Sequence, residues 1–295
     1  MAADRPGGTG LAAIIAVRPT LSIITPSYNQ GSFVERTIKS VLDQDYPGLE
    51  YIVVDGGSTD ETVAILERYS DRIAWWVSEP DGGQTDALNK GLARATGEIV
   101  AYINSDDYYL PGSFDAAAAG FETPGVQWLA GRCLYIDDHS GEPPSIWVPE
   151  APRKRRHWWM LEPWGVPQAA TFWRRELFQR YGGFRADMHY VFDTEFGLRL
   201  AYQGVMPHIV RETLAVRYLH GAAKSADLAP FEREASRFIE LFTPALDPWE
   251  RIQLLTTRGL MRAGWYRLRA QLAMLKRRLT GRPEPTLAVR SILDE

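Results

Sequence analysis

The sequence is poor in cysteine and in long apolar runs. Cys133 is the sole cysteine, so the chain can form neither an intramolecular disulfide nor a cysteine metal cluster, which is typical of a reducing compartment. No stretch approaches the roughly 20 apolar residues that a membrane-spanning helix needs. The short run Leu11–Val17 follows an acidic start and lacks a clear cleavage site, so we expect no signal peptide. A cytoplasmic protein is therefore predicted.

Composition and missing motifs exclude several further classes. Of the 295 residues, 45% are hydrophobic and 24% are charged, which rules out a wholly disordered or fibrous chain. The fingerprints of dinucleotide binding (GxGxxG), phosphate loops (GxxxxGK[ST]), zinc proteases (HExxH) and α/β-hydrolases (GxSxG) are absent. Hydride transfer, phosphate-loop ATP hydrolysis, zinc proteolysis and α/β-hydrolase chemistry therefore lack sequence support.

Positive charge is concentrated near the end of the chain. The net charge is −4, yet residues 251–282 carry nine Lys and Arg and no Asp or Glu, which leaves −13 on the rest. The acidic main body argues against nucleic-acid binding. Apolar residues recur at helical spacing in the basic part: Met261, Trp265, Leu268, Leu272, Leu275 and Leu279. Two interpretations stay open for residues 251–282. In the first, these residues form a helix that packs on the main body or on another subunit. In the second, they make a peripheral contact with the anionic inner face of the membrane.

Four apolar runs alternate with helical patterns between residues 21 and 103. The runs lack polar alternation, which is typical of parallel strands covered by helices on both faces. They are Leu21–Thr25, Tyr51–Val54, Ile73–Val77 and Ile99–Ile103. Thr85–Ala95 and Phe192–Ala201 have helical patterns, whereas the pattern after Gly120 becomes irregular. The sequence predicts an α/β fold with a mostly parallel central sheet flanked by helices.

Carboxylates follow the predicted strands, at their ends or in the next loop. Asp55, Asp81, Asp106 and Asp107 all occupy such positions, and ligands bind at this edge of an open parallel sheet. Each motif alone is compatible with ordinary turn chemistry. Their recurrence at one edge instead favours a site where a divalent cation and a ligand rich in hydroxyl and N–H groups relieve the repulsion between carboxylates.

A series of motifs in fixed order resembles the inverting family 2 glycosyltransferases of GT-A (Rossmann-like) fold. The motifs are Thr25–Asn29 (TPSYN), Tyr51–Asp60 (YIVVDGGSTD), Glu79–Gln84 (EPDGGQ), Asn89–Gly91 (NKG), Asn104–Asp107 (NSDD), Gln168–Arg175 (QAATFWRR), Gly182–Phe184 (GGF) and Asp193–Leu200 (DTEFGLRL). Residues 1–20 contain Gly, Pro and Ala without periodicity and are predicted to be a flexible arm. The resemblance covers residues 21–225 and implies a GT-A domain there. That domain divides into a nucleotide-binding half (21–120) and a half for the acceptor and the base (121–225). Residues 226–295 would be a helical, basic, amphipathic extension.

The resemblance also implies roles for single residues. Pro26, Tyr28 and Asp55 would line the pocket for the nucleotide base, with Asp81 nearby, and Asp106 would lie near the ribose. The nucleotide-binding motifs also include Thr25, Asn29, Gly57, Gln84, Asn89 and Lys90.

The resemblance also implies which residues hold a metal ion and which residue acts as the general base. Asp107 would hold the Mn²⁺ or Mg²⁺ that bridges the diphosphate and stabilises the leaving group, with His220 as a further ligand of the metal or diphosphate. Asp193 stands at the position of the general base. Many relatives carry Glu-Asp there, whereas this chain has Phe192-Asp193, and Glu195 remains an alternative base.

A basic and tryptophan-rich segment precedes the motif that begins at Gln168. Two interpretations are open for Arg156, Trp158 and Trp159. They belong either to a solvated basic loop or to a lid that binds the acceptor. The lid is favoured by chemistry, because tryptophan stacks on sugar rings and arginine pairs with phosphate. The lid interpretation assigns these residues to the acceptor or diphosphate side: Arg156, Trp158, Trp159, Trp164 and Gln168. Lys224 would pair with phosphate.

The motifs together predict a metal-dependent glycosyltransferase that inverts the sugar's anomeric centre. Its donor would be a nucleotide sugar, with UDP as the expected nucleotide, and its acceptor a hydroxyl of a glycan or a lipid-linked glycan. Two alternatives are retained: a catalytically inactive sugar-nucleotide-binding or scaffold protein, and a nucleotidyltransferase. The pair Asp107 and Asp193 argues against the inactive protein, and the absence of a Gly-rich basic nucleotide loop argues against the nucleotidyltransferase.

Overall fold

The structure is a computed structural model. It describes residues 18–138, 143–149, 165–221, 223–224, 230, 233, 234, 237, 240, 241 and 248. None of the helices in these ranges is long and apolar enough to cross a bilayer. The predicted arm (apart from residues 18–20) and the basic stretch 251–282 lie outside the described residues.

Strands and helices alternate along the first half of the described chain. In chain order the elements are β1 (Leu21–Ser27), α1 (Val34–Leu42), β2 (Leu49–Asp55), α2 (Thr62–Arg68), β3 (Trp75–Ser78), α3 (Gln84–Arg94), β4 (Ile99–Tyr102), β5 (Tyr108–Tyr109), α4 (Ser113–Phe121), β6 (Trp128–Asp137), β7 (Ser145–Trp147), β8 (Thr171–Arg174), α5 (Arg175–Tyr181), α6 (Phe192–Tyr202) and β9 (His208–Leu219). The predicted α/β fold is confirmed.

All described strands belong to one sheet. Its order is β3-β2-β1-β4-β8-β6-β9-β5, and β7 pairs with β6. The first four strands are parallel, whereas β8 runs antiparallel to both β4 and β6, and β9 is parallel to β6. Parallel pairing therefore holds through the first half, and the second half is mixed. The register pairs Ser27 with Asp55 and Asp55 with Ser78, so these three strands end at one edge.

Helices cover both faces of the parallel strands, as the unbroken apolar runs predicted. On β1, Ile23 packs in one core with Val34 and Ile38 of α1, while Ile24 packs in a second core with Leu88 of α3 and Phe196 of α6. Successive strand side chains point to opposite faces of a sheet. A strand buried on both faces therefore shows no polar alternation, which explains the burial of all seven β1 residues.

Two long strands contradict the irregular interpretation of the chain after Gly120. β6 and β9 pair with each other over a register that shifts around Arg132 and Thr213. Polar residues such as Arg211 and Glu212 are exposed on β9 and break the apolar run that marks a buried strand. These strands form the floor beneath the second half of the site described below.

Candidate active site

A cavity of about 940 Å³ opens at the edge where the parallel strands end. Its walls come from the loops after β1, β3 and β4, the start of α3, the start of α6 and the end of β9. Ligands of open parallel sheets bind at this edge. The predicted site residues on its walls are Pro26, Tyr28, Asp81, Gln84, Asp106, Asp107, Gln168, Asp193 and Lys224.

Tyr28 and Asp81 stand on the side of the cavity formed by the first three strands. The Tyr28 side chain is 59% exposed, so its ring is accessible for stacking on a planar ligand. A Cβ at residue 56 would lie 3.1 Å from an oxygen of Asp81, so Gly56 leaves room for that carboxylate. Burial raises the pKa of Asp81, although the Gly83 N–H donates to it. This side therefore offers one aromatic face and one carboxyl group.

Asp55, predicted to touch the base, is not on the cavity wall. It is fully buried, and its carboxylate accepts hydrogen bonds from the N–H groups of Gly57 and Ser58 and from the hydroxyls of Ser58 and Ser78. Three of the four bonds go to Oδ2 and one goes to Oδ1. In this structure Asp55 shapes the loop after β2, and Gly56 of that loop reaches the wall.

Thr25, Asn29 and Gly57 also lie behind the wall. The Thr25 hydroxyl accepts a hydrogen bond from Tyr51 at 3.1 Å. Asn29 Oδ1 accepts the N–H of Thr59 at 2.9 Å, which joins the loops after β1 and β2. Gly57 has a φ of 81°, a conformation that favours glycine. These residues hold the loops that present their neighbours to the cavity.

Asn89 and Lys90 point away from the cavity. Asn89 exchanges two hydrogen bonds with the backbone of Phe184, from Nδ2 to the carbonyl at 2.8 Å and from the Phe184 N–H to Oδ1 at 3.0 Å. Lys90 pairs with Glu79 at 3.0 Å and with Asp86 at 3.5 Å. The prediction that both bind nucleotide is not supported by this geometry. Asn89 instead docks the GGF motif on α3.

Asp106 and His220 come together from distant parts of the chain. Nε2 of His220 lies 3.3 Å from Oδ2 of Asp106. The imidazole is buried behind the wall and stacks on Phe33, with ring centroids 4.0 Å apart. The described residues hold no group of three or more His, Cys, Asp or Glu side chains suited to a metal ion. The part of the chain that the structure describes would therefore supply two ligands, Asp106 and His220, for a cation at this point.

Asp107 is buried and has backbone and amide partners. Its Oδ1 accepts the Tyr218 N–H at 2.9 Å, and Nδ2 of Asn104 lies 3.3 Å from its Oδ2. Burial and, after it, the charge of Asp106 raise the pKa of Asp107 to about 7, although Arg217 and the Tyr218 N–H act in the opposite direction. The sequence assigned the metal to Asp107, but the structure brings His220 to Asp106 instead.

Helix α1 fixes the backbone of the acidic loop. Thr37 Oγ1 lies 2.9 Å from the carbonyl oxygen of Ser105 and 2.6 Å from that of Asp107, so its single O–H is shared between these two acceptors. Arg36 donates to the carbonyl of Asp106 at 2.9 Å, and its guanidinium lies 4.4 Å from the ring centres of Tyr108 and Tyr218. Two neighbouring residues of α1 thus bind three consecutive carbonyls of the loop. Sequence reasoning missed this role.

Asp193 and Glu195 have different surroundings. Asp193 lies at the start of α6 on the cavity wall, and burial raises its pKa, with the Thr194 N–H and Arg217 acting in the opposite direction. Glu195 is buried away from the wall, and its two oxygens accept hydrogen bonds from Arg199 at 3.1 and 2.8 Å. The structure therefore does not support Glu195 as the alternative base.

A chain of hydrogen bonds crosses the cavity. Lys224 Nζ donates to Gln84 Oε1 at 2.9 Å, and Gln84 Nε2 donates to Asn104 Oδ1 at 2.7 Å. Asn104 Nδ2 lies 3.4 Å from Gln168 Oε1, and Gln168 Nε2 donates to the Tyr102 carbonyl at 2.7 Å. The amide orientations are set by this network, which joins the two halves of the site.

Arg217 is a wall residue that the sequence interpretation did not single out. Its guanidinium lowers the pKa of both Asp107 and Asp193. The only available signal was its place in the segment Arg217–His220. The predicted acceptor residues Arg156, Trp158, Trp159 and Trp164 lie outside the described residues.

Comparisons with known proteins agree with this geometry. The family model described as "Glycosyl transferase family 2" matches residues 22–182, which is more than half of the chain. An uncharacterized glycosyltransferase of Mycobacterium tuberculosis is 36% identical over 190 residues, covering 62% of this chain and 69% of that protein.

Two solved structures share the fold. TarS 1-349 of S. aureus in complex with UDP-GlcNAc matches with a TM-score of 0.63 and 21% identity over 80% of this chain and 70% of that one. The mannosyltransferase PcManGT from Pyrobaculum calidifontis, in complex with GDP-Man and Mn²⁺, matches with a TM-score of 0.62 and 22% identity over 94% of this chain and 79% of that one. The family match and the fold agree. The chain belongs to glycosyltransferase family 2 and has the GT-A fold.

Proposed function

We propose that the protein transfers a sugar from a nucleotide-sugar donor to a hydroxyl of a glycan or lipid-linked glycan, with inversion at the anomeric carbon. The observation that carries the proposal is that one cavity contains both Asp106, which is backed by His220, and Asp193 at the start of α6. Inverting transfer needs a site for the leaving diphosphate and a base for the acceptor hydroxyl, both within reach of one sugar.

The nucleotide would occupy the side of the cavity near Tyr28 and Asp81. The exposed ring of Tyr28 suits stacking on a base, and the carboxyl of Asp81 suits the N–H groups of a pyrimidine edge. UDP is our first choice, because it is the nucleotide that the family resemblance favours. The TarS structure contains UDP-GlcNAc and the PcManGT structure contains GDP-Man, so the fold accommodates more than one nucleotide.

A divalent cation, Mn²⁺ or Mg²⁺, fits the pair Asp106 and His220. A carboxylate and an imidazole are both ligands of Mn²⁺. Two ligands about 2.1 Å from one ion and at right angles to each other lie about 3 Å apart, and these two atoms are separated by 3.3 Å. When bound, the cation would stabilise the charge that develops on the leaving diphosphate. The other coordination positions would be available to phosphate oxygens and water.

Asp193 would act as the base. As the acceptor oxygen attacks the anomeric carbon, its proton passes to the Asp193 carboxylate, and the bond from that carbon to the diphosphate oxygen breaks on the opposite face. Arg217 keeps Asp193 ionised more readily than burial alone would allow. Gln168 and Lys224 would lie on the side of the acceptor and diphosphate.

A calorimetric titration tests the donor class. UDP, GDP, dTDP and CMP are titrated into the protein with and without Mn²⁺, and the titration is repeated with Asp106→Ala. Metal-dependent binding of one nucleotide that is lost in the variant supports the proposal. Absence of binding by every nucleotide contradicts it and favours the scaffold alternative. Release of pyrophosphate during turnover would indicate a nucleotidyltransferase.

We also propose that residues 251–282 contact an anionic membrane surface, which would place the enzyme beside a lipid-linked acceptor. Nine positive charges without a negative one support this idea. Flotation with phosphatidylglycerol vesicles, compared between the full chain and a chain ending at residue 250, tests it. Equal binding by the two chains would contradict it.

A further inference from the structure

Glu234 accepts hydrogen bonds from three consecutive backbone N–H groups. Its Oε1 binds the N–H of His189 at 2.6 Å, and its Oε2 binds the N–H groups of Tyr190 and of Val191, the latter at 2.8 Å. Glu234 is half-buried and follows these residues by more than 40 positions. A carboxylate that binds several N–H groups forms strong, charge-assisted bonds. Glu234 therefore holds the loop of residues 189–191, which belongs to the main domain, in place.

The loop leads directly into the helix that carries Asp193. Val191 is the last residue before α6, and its carbonyl accepts the N–H of Glu195 at 2.8 Å, an early bond of that helix. Negative charge near the N-terminus of a helix is also favourable for the helix dipole. Glu234 therefore helps to fix the start of α6, because the backbone it binds at residues 189–191 continues directly into that helix.

Two further contacts act on the same loop. Arg237, three residues after Glu234, pairs with Asp187 at 3.0 Å, so two side chains of the C-terminal segment (described residues 230, 233, 234, 237, 240 and 241) reach residues 187–191. Lys224 donates to the carbonyl of His189 and lies 4.8 Å from the ring centre of Tyr190. The loop is thus held by its N–H groups through Glu234 and by a carbonyl through Lys224.

We propose that Glu234 is a positioning residue for Asp193: it holds residues 189–191 so that the Asp193 carboxylate faces the cavity. This inference rests on the proposed function, in which Asp193 is the base. The nucleotide side of the cavity is built from the loops after β1, β3 and β4. Among the described residues, the hydrogen bonds of Glu234 go to residues 189–191 and none goes to these loops. Loss of Glu234 should therefore slow the chemical step and leave donor binding intact.

The test compares Glu234→Gln with Glu240→Gln, a matched change at an exposed residue of the same segment. Gln at 234 removes the charge and offers one carbonyl oxygen in place of two carboxylate oxygens, so the three N–H groups cannot all keep their partners. Hydrogen exchange at the amides of 189–191 is expected to accelerate at least 10-fold in Glu234→Gln and to stay unchanged in Glu240→Gln. Glu234→Asp, which keeps the charge on a shorter side chain, is expected to restore part of the protection.

Turnover is measured as release of nucleoside diphosphate from UDP-glucose, UDP-GlcNAc and GDP-mannose. Rates are normalised to the stoichiometry of nucleotide binding so that only folded sites are counted. The expected result for Glu234→Gln is a kcat at least 10-fold lower with a donor KM within 2-fold of wild type. Unchanged exchange at 189–191, or an unchanged kcat, overturns the proposal. Asp193→Asn distinguishes a failure of the Glu234 proposal from a failure of the proposed function. If Asp193→Asn keeps its activity, the proposed function itself is wrong.

Discussion

The carboxylates of Asp193 and Glu195 face different environments although the residues are two positions apart on α6. Asp193 lines the cavity, whereas Glu195 is 3% exposed and bound to Arg199. Side chains two residues apart on an α-helix point about 200° from each other, because each residue turns the helix by about 100°. When one of them faces the cavity, the other must face the core. The helix therefore offers one base.

We expect Asp193→Asn to lower kcat by about 10²- to 10⁴-fold, the usual contribution of a general base. Nucleotide affinity should stay within about 2-fold, because Asp193 belongs to α6, whereas Tyr28 and Asp81 belong to the loops after β1 and β3. Release of nucleoside diphosphate and calorimetry check the two quantities. Glu195→Gln is the comparison: it should lower stability, since Arg199 loses a charged partner, and leave kcat per folded molecule close to wild type. A larger kcat loss in Glu195→Gln than in Asp193→Asn would contradict this assignment.

The pH dependence of kcat/KM should show the raised pKa of Asp193. A base must be ionised to accept a proton, so activity rises as the pH increases through the pKa of Asp193 in the free enzyme. Since burial raises that pKa, the acid limb should lie at higher pH than the ordinary pKa of an aspartate, 3.8. Arg217→Gln should move the limb to still higher pH, because Arg217 lowers the pKa. A shift to lower pH in that variant would contradict the argument.

The metal assignment predicts different results for two adjacent aspartates. Asp106→Ala and His220→Ala should each weaken Mn²⁺-dependent nucleotide binding at least 10-fold and leave the weaker metal-free binding unchanged, because each removes one of two ligands. Asp107→Asn keeps an oxygen for the Tyr218 N–H and should retain most of the metal dependence. Titration of nucleotide at several Mn²⁺ concentrations measures these effects. Loss of metal dependence in Asp107→Asn alone would contradict the proposal and support the sequence prediction that Asp107 holds the metal.

The sequence was sufficient to predict the edge of the sheet that carries the site. Because β1, β2, β3 and β4 are parallel, their ends lie together. Residues that follow them, such as Asp81 and Asp106, therefore reach one cavity.

The direction of individual side chains could not be read from the sequence. Whether Asp106 or Asp107 faces His220 depends on the Tyr218 N–H, which binds Asp107 from 111 positions away. Asp55 is withdrawn from the wall partly by Ser78 on a neighbouring strand. Such contacts join segments that are far apart in the chain, and local patterns carry no information about them. β9 was missed because the exposed Arg211 and Glu212 interrupt its apolar run, and the half-buried Arg132 interrupts the run of β6.

Asn89 is expected to contribute to stability and not to nucleotide binding. Asn89→Ala removes both bonds to the Phe184 backbone and leaves that N–H and carbonyl without these partners, which costs about 1–3 kcal/mol of unfolding free energy. Urea denaturation measures this loss, and calorimetry should show a nucleotide Kd within about 2-fold of wild type. Lys90→Ala, which removes two partly exposed ion pairs, should cost under about 1 kcal/mol. A large loss of nucleotide affinity in Asn89→Ala would contradict this prediction and indicate that Asn89 binds the nucleotide.

Thr37 links helix α1 to the acidic loop through a single hydroxyl, and that hydroxyl can be removed with little change in shape. Thr37→Val should leave the carbonyls of Ser105 and Asp107 without this donor, at a cost of about 1–3 kcal/mol, because valine matches threonine in size but cannot donate. The looser loop should also weaken Mn²⁺-dependent nucleotide binding, since it carries Asp106. Thr37→Ser keeps the donor and loses a methyl group, so it should retain the metal dependence. If serine weakens the metal-dependent binding and valine does not, packing by the methyl group, and not the hydroxyl, fixes the loop.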